Sequence, residues 1–113
     1  MSLRIFRVTV RGRFDQLDGP TTARLLDAAD DHDVVTGGGF TEAGTLVYER
    51  SLDFWTFRVQ LREDSDDAEA DALLHAVANA EAELGRIGAG HRDVKASAID
   101  MASMWERTGT RTR

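Results

Sequence analysis

Phe54-Trp55-Thr56-Phe57-Arg58-Val59-Gln60-Leu61 is the stretch from which the fold follows. Trp55, Phe57, Val59 and Leu61 share one parity, and Thr56, Arg58 and Gln60 share the other. That two-residue period describes a strand with one buried face and one open face. Just upstream, Thr45-Leu46-Val47-Tyr48-Glu49 is rich in β-formers, and Ser51-Leu52-Asp53 is short enough for a tight connection. The two segments read as a hairpin. Before it, Gly37-Gly38-Gly39 reads as a turn and Glu42-Ala43-Gly44 as a bend or bulge.

The chain opens with a second alternating segment. Phe6, Val8 and Val10 take the buried parity; Arg7, Thr9 and Arg11 take the open one. Gly19-Pro20 then supplies a helix cap and first helical residue. Thr22, Leu25, Leu26 and Ala29 form one face of a short helix from Thr21 to about Asp31. Beyond the hairpin, Ser65-Asp66-Asp67-Ala68-Glu69 places acids at the positive end of a second helix. Its apolar stripe is Leu73, Val77, Ala80, Leu84 and Ile87, and Gly85, Gly88 and Gly90 mark its end. A last strand, about Arg92 to Met101, turns Val94, Ala96 and Ala98 inward and Lys95, Ser97 and Ile99 outward.

The order is βαββαβ. Two amphipathic helices need one face of a sheet to cover. The connection rules then favour an α+β, ferredoxin-like fold: a four-stranded antiparallel sheet in the order 4-1-3-2, with both helices on one face. The strands from the two alternating segments are central in that order, and at this stage they read as mutually parallel. Pairing of two such subunits into a dimeric α+β barrel is a further expectation, and a homodimer is the expected state.

With 113 residues and no cysteine, the chain reads as one domain over residues 1–105, with no disulfide and no cysteine metal site. Residues 106–113 are polar and read as a flexible tail carrying +2, which leaves about -8 on residues 1–105. The net charge of -6 argues against non-specific binding to nucleic acid or anionic membrane. No apolar run approaches the roughly 20 residues of a membrane span, and no secretory h-region stands at the N-terminus. The expected location is cytoplasmic.

Charge is segregated by element. None of the 20 acids lies between Leu3 and Phe14 or between Phe54 and Arg62, while Arg4, Arg7, Arg11, Arg13, Arg58 and Arg62 do. The open face is therefore expected to present a cationic floor with Arg7, Thr9, Thr56, Arg58, Gln60 and Lys95 as substrate-binding residues. Guanidinium forks suit carboxylate or phosphate, and Thr and Gln add neutral donors and acceptors. Arg11 and His91 are the candidate catalytic pair. His91 is expected at the sheet end near Arg11 and Gln60, and its ordinary pKa suits proton transfer. Met104 and Trp105 are candidate interface anchors.

Other constellations carry less. Gly37-Gly38-Gly39 has no following Gly-Lys-Ser/Thr, so a phosphate loop fails. Asp27, Asp30, Asp31, His32 and Asp33 offer ligand types for a metal, but adjacent acids on a helix point in different directions. His91-Arg92-Asp93 matches the kinase triplet only by coincidence. Trp55 and Phe57 have the inward parity, which removes the stacking platform an RNA-binding sheet needs. No metal and no cofactor is expected.

Phe6 to Phe14, Thr45-Leu46-Val47-Tyr48, Phe54 to Arg58 and Asp100-Met101-Ala102-Ser103-Met104-Trp105 together resemble a small actinobacterial family of unknown function with a ferredoxin-like fold. The bias of 13 arginines to one lysine fits that origin. The resemblance implies size and fold class and carries over no catalytic residues. The function expected from the residues is binding of an oxygen-rich or anionic small molecule, as a cofactor-independent cyclase or isomerase of specialised metabolism. The alternative is a non-catalytic module that docks a partner protein through the arginine face or the Met-Trp end.

Overall fold

A computed structural model describes residues 3–33 and 38–102. The elements are β1 (Arg4–Phe14), α1 (Gly19–Asp27), a 3-10 turn (Ala29–His32), β2 (Thr45–Tyr48), β3 (Phe54–Glu63), α2 (Ala68–Ile87) and β4 (His91–Asp100). Met104, Trp105 and residues 106–113 lie outside the described residues.

The strands form one sheet in the order β2-β3-β1-β4, which is the expected order read from its other edge. Every neighbouring pair is antiparallel, including β1 with β3. This corrects the parallel reading of the two central strands. The hairpin makes β3 run opposite to β2, and β1 shares the direction of β2. As a result Arg7 faces Gln60, Thr9 faces Arg58 and Arg11 faces Thr56.

The inward parity holds on β1, on β3 and over residues 94–98 of β4. Phe6, Val8, Val10, Trp55, Phe57 and Val59 are buried beneath the helical layer. What α2 lays on them differs from the expected stripe. Ala68, Ala72, Ala76, Ala80 and Leu84 are the buried positions, while Leu73, Val77 and Ile87 pack at the flanks. Large rings on the sheet already fill the layer, so a ridge of single methyl groups lets the helix backbone settle close to them. Hydropathy ranks Leu and Val above Ala, which rotated the sequence-based stripe away from the true contact line.

Helix α1 is shorter than expected. Asp18 caps it by accepting a hydrogen bond from the Thr21 N–H at 2.7 Å. After Asp27 the chain tightens into the 3-10 turn, where His32 Nδ1 lies 2.8 Å from the Leu46 carbonyl oxygen. A carbonyl only accepts, so Nδ1 is the donor. Arg24 crosses from α1 to donate to the Ile87 carbonyl at the end of α2. There Gly88 adopts a positive φ of 83°, the left-handed conformation that closes many helices.

Two local features shape the sheet. Gly12 has no room for a side chain, because a Cβ there would run into the Trp55 indole. Between Arg11 and Arg13 the pairing with β4 shifts register, and Asp93 takes a positive φ of 57° in the bulge. Among the described residues, no helix is long and apolar enough to cross a membrane.

Candidate functional site

The antiparallel register arranges the open face as a grid. One row runs Ser97, Thr9, Arg58, Thr45 across β4, β1, β3 and β2; the next runs Lys95, Arg11, Thr56, Val47. Arg7 and Gln60 extend the grid on the other side of Thr9 and Arg58. Directly opposed side chains on a sheet sit about 5 Å apart at Cβ and diagonal ones about 7–8 Å. Thr9 is therefore ringed by Arg7, Arg11 and Arg58, with Ser97 and Thr56 as neighbouring hydroxyls, while Thr45 lies on the far side of Arg58. Thr9, Thr56, Arg58 and Gln60 are half-buried; Arg11, Lys95 and Ser97 are exposed.

Among the described residues of this acidic chain, most cations are spoken for. Arg4 pairs with Asp100, Arg13 with Asp53, Arg50 with Asp30, Arg62 with Glu42 and Arg86 with Glu83. Arg92 lies 3.7 Å from Asp15. Arg24 is held by the end of α2 and by Thr21. What remains among the described residues is Arg7, Arg11, Arg58 and Lys95, and all four stand on the open face of three adjacent strands. Among the described residues Arg7 donates to Gln60 Oε1 at 3.3 Å, and Arg58 to the Gly38 carbonyl at 2.7 Å. Of the six arginines on the two acid-free stretches, then, structure neutralises three from outside and leaves three.

Aromatic rings are interleaved with these cations. The Phe40 ring lies under both Arg7 and Arg58, at 5.6 and 6.0 Å from their guanidinium carbons. Phe54 is 48% exposed and lies between Arg11 at 5.5 Å and Arg13 at 4.8 Å. The Thr41 carbonyl accepts from the Gln60 N–H at 2.8 Å, which anchors the segment carrying Phe40 to β3.

Two grooves meet at Arg11 and Phe54. One, of about 550 Å³, has Thr56, Arg58 and Val47 among its lining residues, together with Asp30, Asp33, Glu49 and Asp53. The other, of about 480 Å³, is lined by Arg11, Gly12, Arg13, Phe54, Asp93, Val94 and Lys95. The larger groove is thus mixed in charge, with the Arg11 and Arg58 guanidinium groups facing a set of carboxylates on different elements. Tyr48 also lines it, donates its hydroxyl to the Leu25 carbonyl at 2.7 Å, and has its phenol pushed up by burial.

The structure brings together Arg7, Thr9, Arg11, Thr56, Arg58, Gln60 and Lys95. It does not bring His91 to them. The bulge at Asp93 inserts one residue into β4, so His91 pairs with Phe14 and turns to the helix-covered side. There its ring meets the Trp55 edge at 6.1 Å and Nε2 lies 3.2 Å from Glu81 of α2. Gln60 is at the opposite end of the sheet, beside Arg7. Phe40 was missed because it follows a glycine turn and has no alternation to read. Glu49, just past the end of β2, also lines the larger groove.

Compared with known proteins, the chain matches a family of unknown function, DUF6204, over residues 1–112 and belongs to it. No curated protein and no solved structure matches the chain.

Proposed function

We propose that this member of the DUF6204 family binds a small, multiply oxygenated anion on the open face of its sheet. One observation carries the reading: among the described residues, the cations left without a carboxylate or helix-end partner, Arg7, Arg11, Arg58 and Lys95, gather on that face of an acidic chain. Bidentate guanidinium groups recognise carboxylate or phosphate, the ring of hydroxyls around Thr9 suits further oxygens, and Phe40 and Phe54 offer flat apolar surface. Both grooves fall within the roughly 300–1,000 Å³ of small-molecule sites, which favours a small ligand over an acidic segment of a partner protein. Cyclase or isomerase chemistry would need a proton carrier beside these arginines. His91 stands on the other side of the sheet, so the proposal is confined to binding.

Thermal shift and calorimetry with citrate, succinate, benzoate and inorganic phosphate test it. Wild type is expected to gain stability with at least one polyanion, and Arg7→Ala with Arg58→Ala to lose the gain while keeping its fold. Equal behaviour of wild type and double variant toward every anion would overturn the reading. Loss of a captured acidic protein, with no response to the small anions, would favour the docking alternative.

A further inference from the structure

We infer that the outer edge of β4 pairs antiparallel with β4 of a second copy of this chain, so that two sheets become one. The inference does not depend on the ligand reading above.

The two edges of the sheet are built differently. β2 is only four residues long, and the edge of β3 beyond it is met by Thr41, whose carbonyl takes the Gln60 N–H. β4 runs for ten residues, contains no proline, and bonds to β1 on one side alone among the described residues. Its outward N–H and C=O groups form a row with no partner strand among the described residues, which is a template for another strand.

Side-chain burial points the same way. Not one residue of β4 is buried, although Val94, Ala96 and Ala98 face the core and pack against it. The equivalent residues of β1 and β3 are sealed. Ile99, on the open side, is 46% exposed. A neighbouring strand would cover both flanks at once.

The occupant that suits this edge is the same edge. Arg92, Asp93, Lys95 and Asp100 cancel in charge, so the strand is locally neutral in a chain of net -6. A two-fold centred on Ala96 sets Lys95 opposite Ser97, and one centred on Ser97 sets it opposite Ile99. Neither opposes Lys95 to itself. The bulge at Asp93 ends the pairing on each side. Face-to-face pairing of the open sheets, by contrast, would press Arg7, Arg11, Arg58 and Lys95 against their own copies. Edge pairing leaves both floors facing outward and joins their Thr9–Ser97 rows into one.

Sedimentation velocity of the full chain over a concentration series tests this, with Ser97→Lys and Ser97→Asp beside wild type. Ser97 is exposed, so neither substitution disturbs the core, and circular dichroism melts are expected to match. Wild type is expected to dimerise reversibly. Ser97→Lys places like charges opposite one another in either register and is expected to raise the dissociation constant about tenfold. Ser97→Asp identifies the register: tighter association fits the Ala96 centre, weaker association the Ser97 centre. A monomer at every concentration, or a dimer indifferent to both substitutions, would overturn the inference.

Discussion

Arg11 and Lys95 stand directly opposite one another across β1 and β4, both on the open face and neither with a carboxylate partner among the described residues. Like charges at directly opposed positions weaken a sheet. The free protein therefore carries a repulsion that an anion lying between the two would convert into attraction.

Lys95→Ala removes that repulsion. Without ligand it is expected to leave stability unchanged or raise it by about 0.2–1 kcal/mol at low ionic strength, with the difference shrinking as salt is added. Under the binding proposal, the same variant shows a smaller thermal shift with citrate than wild type. Urea unfolding with and without citrate reads both effects.

Gly12→Ala drives a methyl group into the Trp55 indole. The ring is buried and lies among packed residues, so the expected cost is about 1–3 kcal/mol, as for overpacked cores. Urea unfolding followed by circular dichroism measures it; an unchanged midpoint would show that the indole has room to shift.

Along α2 the effect of substitution, read by urea unfolding, follows burial and not hydrophobicity, as Leu74 and Ala76 show. Ala76 is fully buried, whereas Leu74 is 68% exposed. Ala76→Leu is expected to cost about 1–3 kcal/mol by lifting the helix from the sheet. Leu74→Ala should stay within about 0.5 kcal/mol of wild type.

His75 on α2 reaches Glu63 at the end of β3, with Nδ1 2.8 Å from the carboxylate. The hydrogen bond to Glu63, reinforced by its charge, holds the imidazole above its ordinary pKa. A raised folded-state value makes the contribution complete below the unfolded pKa, near 6.5, and removes it as pH rises through the folded value. The stability difference between wild type and His75→Gln should therefore be largest in mild acid and vanish toward alkaline pH. A difference independent of pH would show that the pair does not contribute through its charge.

Strand parity was legible because alternation is local: Phe6 to Val10, Trp55 to Leu61 and Val94 to Ala98 all face as their sequence says. The arginine floor followed from that parity. What escaped depends on distant or inserted residues. Asp53, Glu42 and Asp100 reach back to neutralise Arg13, Arg62 and Arg4, and nothing within the arginine strands announces them. A single-residue bulge reversed the side on which His91 stands, which alternation counted from Ala98 cannot foresee. The path that lays Phe40 under Arg7 and Arg58 is set by the bond from Gln60 to Thr41, a long-range contact with no local signature.

The missing side chain at Gly12 also gives the protein an internal optical probe. The Trp55 indole fills the inner side of that glycine, and Gly12 itself lines the smaller groove on the outer side. Only the thickness of a peptide backbone separates the ring from whatever enters. An anion that settles between Arg11 and Lys95 alters the electric field at the indole, so the emission colour and quenching of Trp55 report occupancy without any label. With Trp105 replaced by Phe so that Trp55 alone emits, libraries of candidate ligands can be screened by intrinsic fluorescence, with Lys95→Ala as the weakened control.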